Sequence, residues 1–179
     1  MLDLIEKNEQ SDFPSLFKCK ICIIGLGYVG LPLAIEFSKV KKCLITDKTL
    51  KRKVVGFDLN KKRIDELCVG KDITREIEKE DLKELKSIEF ISEPNTNINA
   101  DVYIVSVPTP ISKDKKPNLS FLKKATEQVA LFLKKGTQRI SPLIIFESTV
   151  YPGTTEDICV PILQEHSGLK INEDCLLYT

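Results

Sequence analysis

A chain of 179 residues with 42% hydrophobic side chains has apolar material for one sizeable core, and too little length for two full domains. Its 27 Lys and Arg against 26 Asp and Glu leave a formal charge of +1, a balance that points to no nucleic acid and no membrane as partner. Six cysteines, with no signal-peptide pattern and no apolar run of bilayer length, argue for a reducing, cytoplasmic setting.

Residues 1–17 are polar, weakly periodic and interrupted by Pro14, so they read as a tail ahead of a domain that begins at Lys18. Cys19 and Cys22 form C-x-x-C, but residues three apart on a strand point to opposite faces and no second pair follows, so no metal site is expected. Ile21, Cys22, Ile23 and Ile24 are apolar without alternation, the pattern of a strand covered on both faces in a parallel sheet. They run into Gly25-Leu-Gly-Tyr-Val-Gly30, a G-x-G-x-x-G turn that opens a helix. Gly25 permits the tight turn, Gly27 lets backbone approach a pyrophosphate, and Gly30 lets the helix pack on the strand. The helix start adds unpaired N–H groups and a positive dipole end, which makes this a nucleotide site. Leu31, Ala34, Ile35 and Phe37 carry the helix to Lys39, with Pro32 tolerated in its first turn.

Two runs compete for the second strand, and each ends in an aspartate able to accept from an adenosine ribose. Residues 43–46 lead into Asp47 and residues 54–57 into Asp58. Asp47 lies 17 residues past Gly30 and Asp58 lies 28 past it, so the usual spacing of about 20 favours Asp47. The short basic clusters Lys51-Arg52-Lys53 and Lys61-Lys62-Arg63 read as solvated faces.

Gly25-Leu-Gly-Tyr-Val-Gly-Leu-Pro32 together with Val54-Val-Gly-Phe-Asp-Leu-Asn-Lys-Lys-Arg-Ile64 resembles the NAD-binding N-terminal domain of the UDP-glucose/GDP-mannose dehydrogenase family. Within it, the similarity is greatest to bacterial UDP-N-acetylhexosamine 6-dehydrogenases of capsule, O-antigen and Vi polysaccharide synthesis. The resemblance reverses the choice made by spacing. It gives the ribose to Asp58, places Gly56 beside the adenine, lays Arg63 along the adenine or a phosphate, and makes residues 41–50 an insertion. Across the glycine turn it implies that Tyr28 and Val29 join Gly25, Gly27 and Gly30 as cofactor contacts.

Further along, Asn60 is placed to cap a helix carrying Ile64 and Leu67 that Gly70 ends. Residues 76–86 read as a charged helix with Ile77, Leu82 and Leu85 inward, residues 88–91 as a short strand, 94–100 as a connection or short helix, and 102–107 as a buried strand. Val107-Pro-Thr-Pro-Ile111 ends that strand at the edge where such sheets bind ligands; by itself it is a proline-stiffened turn. The resemblance makes Pro108 and Thr109 cofactor contacts. A polar loop at 113–118 precedes a helix at 120–135 with Leu122, Ala125, Val129 and Phe132 inward and Gly136 as its stop. Residues 143–146 are the next buried strand, followed by Glu147-Ser-Thr-Val-Tyr-Pro-Gly-Thr-Thr155. Its hydroxyls suit helix capping. The resemblance gives Thr149 a catalytic place, holding the nicotinamide end and a water. A helix over 154–164 follows, and His166, the single histidine, reads as a dipole partner at its end. Residues 172–179 stand where family members continue into Ser-Pro-Glu-Arg.

The order of elements predicts an α/β fold, a Rossmann-like doubly wound parallel sheet in one domain over 18–179. The resemblance implies a truncated member, with the central helix and UDP-sugar domain absent. The family oxidises the C6 alcohol of a nucleotide sugar to a carboxylate with two equivalents of NAD+, through a cysteine-bound thioester. Its nucleophilic Cys and its Lys lie beyond the length present here, and none of the six cysteines takes that role. A UDP-sugar substrate and a homo-oligomer are implied for the complete enzyme. The alternatives are a non-enzymatic nucleotide-binding module, or another Rossmann oxidoreductase.

Overall fold

Each unbroken apolar run becomes a strand that must be covered twice, and that requirement sets the architecture. The structure, a computed structural model, describes residues 13–15, 17–111, 115–136 and 141–178. Most of the tail expected over 1–17, and residues 113 and 114 of the loop at 113–118, lie outside the described residues. Strands β1 (Lys20–Ile24), β2 (Lys53–Phe57), β3 (Ile88–Ile91), β4 (Val102–Val105), β5 (Leu143–Phe146) and β6 (Leu176–Tyr178) form one sheet in the order β3-β2-β1-β4-β5-β6. Every pairing is parallel.

Helices α1 (Gly30–Lys39) and α2 (Lys61–Cys68) cover one face, and α3 (Ser120–Lys135) and α4 (Val160–Ser167) cover the other. Alternate residues of β1 therefore join different cores. Ile21 and Ile23 pack with Leu31, Ile35, Ile64 and Leu67, whereas Cys22 and Ile24 pack with Phe132 and Leu163. Cys19 falls in the first core and Cys22 in the second, so the C-x-x-C pair is split by the sheet. Phe132 of α3 meets Phe57 edge-on at 5.2 Å and stacks on Tyr103 at 6.3 Å. The buried Tyr103 hydroxyl donates to the Ile98 carbonyl and accepts from the Ala100 amide, which removes the penalty of burying it.

Of the two runs that competed for the second strand, residues 54–57 are the one in the sheet. β2 is Lys53–Phe57 and Asp58 follows it. A strand covered on both faces needs four successive residues that tolerate full burial, which Val54-Val-Gly-Phe57 supplies; Cys43-Leu-Ile-Thr46 has only two strong apolar residues. Residues 41–50 instead form a hairpin. Lys42 bridges Thr49 antiparallel, the Cys43 amide donates to the Lys48 carbonyl at 2.9 Å, and the Leu50 amide donates to the Lys41 carbonyl at 2.7 Å. Asp47 sits at its exposed tip with φ 53°, paired to Lys42. The spacing rule failed because it counts residues and takes no account of an insertion.

Other elements depart from expectation in smaller ways. The stretch read as a helix over 76–86 is a 3-10 helix at Lys79–Ser87 that buries only Leu85, since its apolar residues are too few to hold an α-helical stripe against the sheet. β4 stops at Val105, and Ser106 and Val107 turn out of it toward the prolines. The helix expected over 154–164 opens as a π turn at Thr155–Cys159 and continues as α4 to Ser167. The Val160 amide donates to the Thr155 carbonyl five residues back, and Pro161 follows in the first turn of α4, where its missing N–H is tolerated. β6 was not expected at all.

The tightest packing is where α1 leaves β1. A Cβ placed on Gly30 lies 1.8 Å from the Gly25 carbonyl oxygen and 2.4 Å from Ser106 Oγ. Ser106 Oγ itself donates to the Ile24 and Gly25 carbonyls at 3.2 and 2.9 Å. Gly30→Ala is accordingly expected to lower unfolding free energy by about 3 kcal/mol or more in urea titrations, because backbone must move to admit the methyl group. Gly27→Ala, whose Cβ meets nothing within 4 Å, is expected to leave the same midpoint unchanged.

Candidate functional site

The carboxyl ends of parallel strands face one edge of the sheet, and the strand order reverses between β1 and β4, which opens a crevice there. The glycine turn lies at its base. Gly25 adopts φ 91°, which an L side chain resists, and its amide donates to the Phe57 carbonyl at the end of β2. Leu26 is then held through both of its peptide groups. The Leu26 amide donates to Asp58 Oδ2 at 2.9 Å, and the Leu26 carbonyl accepts from Arg63 Nε at 3.0 Å. Asp58 Oδ1 takes the Asn60 amide, and the Asn60 side chain caps α2 by accepting from the Arg63 amide. Gly27 stands over open space, so no neighbour in the protein requires a glycine there. That vacancy is the room a bound backbone or phosphate needs.

A cleft of about 500 Å³ rises from this turn. Gly25 and Gly27 form its floor, Asp58 and Arg63 one wall, and Pro108 with Phe121 of α3 the other. A second cleft of about 480 Å³ is lined by Tyr28, Pro108, Thr109, Thr149 and Tyr151. Pro108 lines both and joins them. Of the residues expected at the site, Gly25, Gly27, Asp58, Arg63 and Pro108 gather at the first cleft, and Tyr28, Pro108, Thr109 and Thr149 at the second. Val29 and Gly30 line neither; Val29 precedes α1 and Gly30 is spent on packing. Gly56 also differs from expectation, because the space its missing Cβ leaves is filled by Leu26 and Phe90, each at 3.0 Å.

The two loops above β4 and β5 brace one another. Thr109 Oγ1 donates to the Thr149 carbonyl at 2.5 Å, and Ser148 Oγ donates to the Val107 carbonyl at 2.7 Å. The Thr149 side chain is left exposed at the second cleft.

Arg63 is only 8% exposed and most of its guanidinium is committed to protein. Besides Leu26, it donates through Nη2 to Thr74 Oγ1 at 3.0 Å and pairs with Asp72 Oδ1 at 2.8 Å. Asp72 in turn accepts from Thr74 Oγ1 and from the amides of Thr74, Glu76 and Ile77. Burial alone raises the Asp72 carboxyl; hydrogen bonds from Thr74, Arg63 and the Glu76 amide, with the Arg63 charge, outweigh it and hold the pKa below its ordinary value. Arg63 Nη1 is buried, has no hydrogen-bond partner among the described residues, and belongs to a residue lining the first cleft. Arg63 is thus first a strut under the glycine turn, with the two N–H groups of Nη1 unpartnered among the described residues.

Three sets of residues at the site were not singled out from sequence. Ser106 had a signal, a lone hydroxyl closing an apolar strand. Phe121, Lys124 and Gln128 lie at helical spacing beside the core stripe of α3 and line the first cleft, a second face that the stripe itself pointed to. Asp72 had none, since its partner is set by tertiary structure. Among the described residues, no group of three or more His, Cys, Asp or Glu is placed to hold a metal ion, and no helix is long and apolar enough to cross a membrane.

The profile of the UDP-glucose/GDP-mannose dehydrogenase family, NAD binding domain, matches residues 19–178. UDP-N-acetyl-D-glucosamine 6-dehydrogenase of Pseudomonas aeruginosa is 47% identical over 155 residues, covering 87% of this chain and 33% of that protein. The enzyme of the same description from Salmonella typhi is 48% identical over the same shares. Among solved structures, the UDP-D-ManNAc dehydrogenase of Pyrococcus horikoshii is 30% identical at a TM-score of 0.70, covering 88% of this chain and 35% of that one. The chain spans about a third of the length of the relatives it matches. Its cofactor is NAD, and the open position at Gly27 and the free Arg63 donor fit a dinucleotide. On the match across nearly its whole length, the chain belongs to the UDP-glucose/GDP-mannose dehydrogenase family as an NAD-binding domain.

Proposed function

We propose that this chain is the NAD-binding part of a UDP-N-acetylhexosamine 6-dehydrogenase, which oxidises the sugar C6 alcohol to a carboxylate for a surface polysaccharide. The observation that carries the reading is the glycine turn held between Asp58 and Arg63, with Gly27 open to the cleft. The names of the most similar relatives supply the substrate class. Bound NAD+ supplies the hydride acceptor.

The chain's own residues bind and orient. Asp58 receives the adenosine ribose and opposes a 2′-phosphate, the α1 N-terminus faces the pyrophosphate, and Arg63 Nη1 gives one donor. Phe121 offers an apolar wall to the adenine. Thr109 fixes the loop that carries Thr149, and Thr149 holds the nicotinamide end and a water from the second cleft. A UDP-sugar is the partner molecule, a homo-oligomer the complete form, and the cytoplasm the compartment.

No thiolate is at hand. Burial raises the Cys19, Cys22 and Cys159 thiols and pushes Cys175 up to about 11, while Cys43 and Cys68 line neither cleft. Positioning without a nucleophile leaves the thioester chemistry undone. The 179-residue chain is therefore expected to bind NAD+ in calorimetry, yet form no NADH with UDP-N-acetylglucosamine, UDP-N-acetylgalactosamine or UDP-glucose. Fusing the remaining two thirds of a relative is expected to restore turnover. Turnover by the chain alone overturns this division of labour, and a silent fusion with intact NAD+ binding favours a non-enzymatic module.

Asp58→Ala is expected to weaken NAD+ by about 1.5 to 3 kcal/mol, the range for a hydrogen bond to a charged group, while Asp47→Ala leaves it unchanged. Calorimetric titration of both variants checks this. Asp58→Asn keeps an acceptor for Leu26 and is expected to narrow the preference for NAD+ over NADP+.

Acid tests the Arg63–Asp72 strut. Because the folded pKa of Asp72 is depressed, its stabilisation is complete above the ordinary carboxylate pKa and is lost as pH falls through the lower folded value. Melting curves from neutral pH down through that window are expected to show a steeper loss for the wild type than for Asp72→Asn. NAD+ affinity is expected to be lower in the variant at neutral pH.

A further inference from the structure

The near-zero net charge conceals an uneven distribution. Within residues 40–53, Lys41, Lys42, Lys48, Lys51, Arg52 and Lys53 face a single acidic residue, Asp47, so the remainder of the chain is net acidic. Read as sequence, the cluster Lys51-Arg52-Lys53 is a solvated face. Folding changes that reading, because the hairpin folds the segment back on itself and brings Lys41 and Lys42 alongside Lys48. Among the described residues only Lys42 of the six pairs with a carboxylate. Lys48 lies over the Phe17 ring and Arg52 over the Phe37 ring, which fixes the hairpin on the body of the domain without neutralising either charge.

At the turn of this basic hairpin stand two aliphatic residues. Leu44 is 99% exposed and Ile45 is 62% exposed, and neither belongs to a core cluster. The tip is held in shape by the Asp47 amide donating to the Cys43 carbonyl at 2.8 Å and by the Lys42–Asp47 pair. An ordered loop that points two aliphatic side chains into water from a cationic base matches an anionic interface with an apolar interior. The charges meet headgroups and the aliphatic side chains reach the acyl boundary.

We propose that the 41–50 hairpin is a docking element for an anionic phospholipid surface. Nucleic acid suits it less well, since the tip offers no aromatic ring for base stacking. The placement also suits the proposed function. The hairpin joins the end of α1 to the start of β2, so it lies at the amino edge of the sheet, opposite the edge that carries the glycine turn. A domain seated on a bilayer by this hairpin keeps both clefts turned away from the surface.

The chain contains no tryptophan, so Leu44→Trp gives a single reporter at the tip. The 179-residue chain is mixed at low ionic strength with vesicles of equimolar phosphatidylglycerol and phosphatidylcholine, or of phosphatidylcholine alone. Flotation is expected to show at least about tenfold more protein on the anionic vesicles, falling with added salt. The Leu44→Trp emission is expected to shift to the blue only with those vesicles. Lys41→Glu with Lys51→Glu, and separately Leu44→Ser with Ile45→Ser, are each expected to lose about tenfold of the bound fraction. Unchanged melting and NAD+ titration show that these variants fold. Equal binding to both vesicle types, or an unshifted emission, overturns the proposal. Binding that survives Leu44→Ser with Ile45→Ser overturns the role of the tip, and a shift caused by duplex DNA without any caused by vesicles assigns the hairpin to nucleic acid instead.

Discussion

The Gly25 carbonyl is the point on which the rest of the molecule turns. It closes the last peptide of the β1 turn, receives the Ser106 hydroxyl from the end of β4, and lies against Gly30 so closely that a methyl group has no place between them. Sheet and first helix are thereby fixed relative to one another by backbone contact between Gly25 and Gly30, and β4 is tied to them by one side-chain hydroxyl. The glycine turn that faces the dinucleotide inherits its shape from this contact. What separates Gly30 from Gly27 is the neighbour: the protein's own backbone requires a glycine at 30, and nothing in the protein requires one at 27.

Around that point the chain has placed a short relay of charge-assisted hydrogen bonds. Asp58 takes the Leu26 amide, Arg63 gives to the Leu26 carbonyl, and Asp72 secures Arg63 from a loop beyond α2. A buried ion pair is weak support for stability when set against apolar packing, because both ions lose water. Its use here is positional. The ion pair holds one peptide plane at the edge of a cleft, which an apolar contact of the same size does not orient.

Much of this was legible in the sequence, for identifiable reasons. Ile21 to Ile24 and Leu143 to Phe146 stand out because burial on two faces leaves an unbroken apolar run, and Leu122, Val129 and Phe132 because burial on one face of a helix leaves a stripe. The glycine turn stands out because three backbone demands recur at fixed spacing. The second strand was harder, since Asp47 satisfied the count, and only the hairpin at residues 41–50 shows how ten residues left the sheet. β6 offers three residues, Leu176–Tyr178, at a half-exposed sheet edge, too few to establish any period. Asp72 finds Arg63 across a turn, and no local pattern encodes that.

The parallel order also dictates how the molecule comes into being. β1 lies between β2 and β4, and Ser106 bonds a carbonyl 82 residues earlier in the chain. During synthesis from the N-terminus, β1, α1 and β2 emerge as a unit whose inner strand has one edge bare. That edge stays open until β4 has been made, so the cradle for the dinucleotide is finished late, by a segment that meets it only after a long loop closes. Conditions that slow this closure leave an unpaired, aliphatic strand edge as the adhesive surface of the nascent chain.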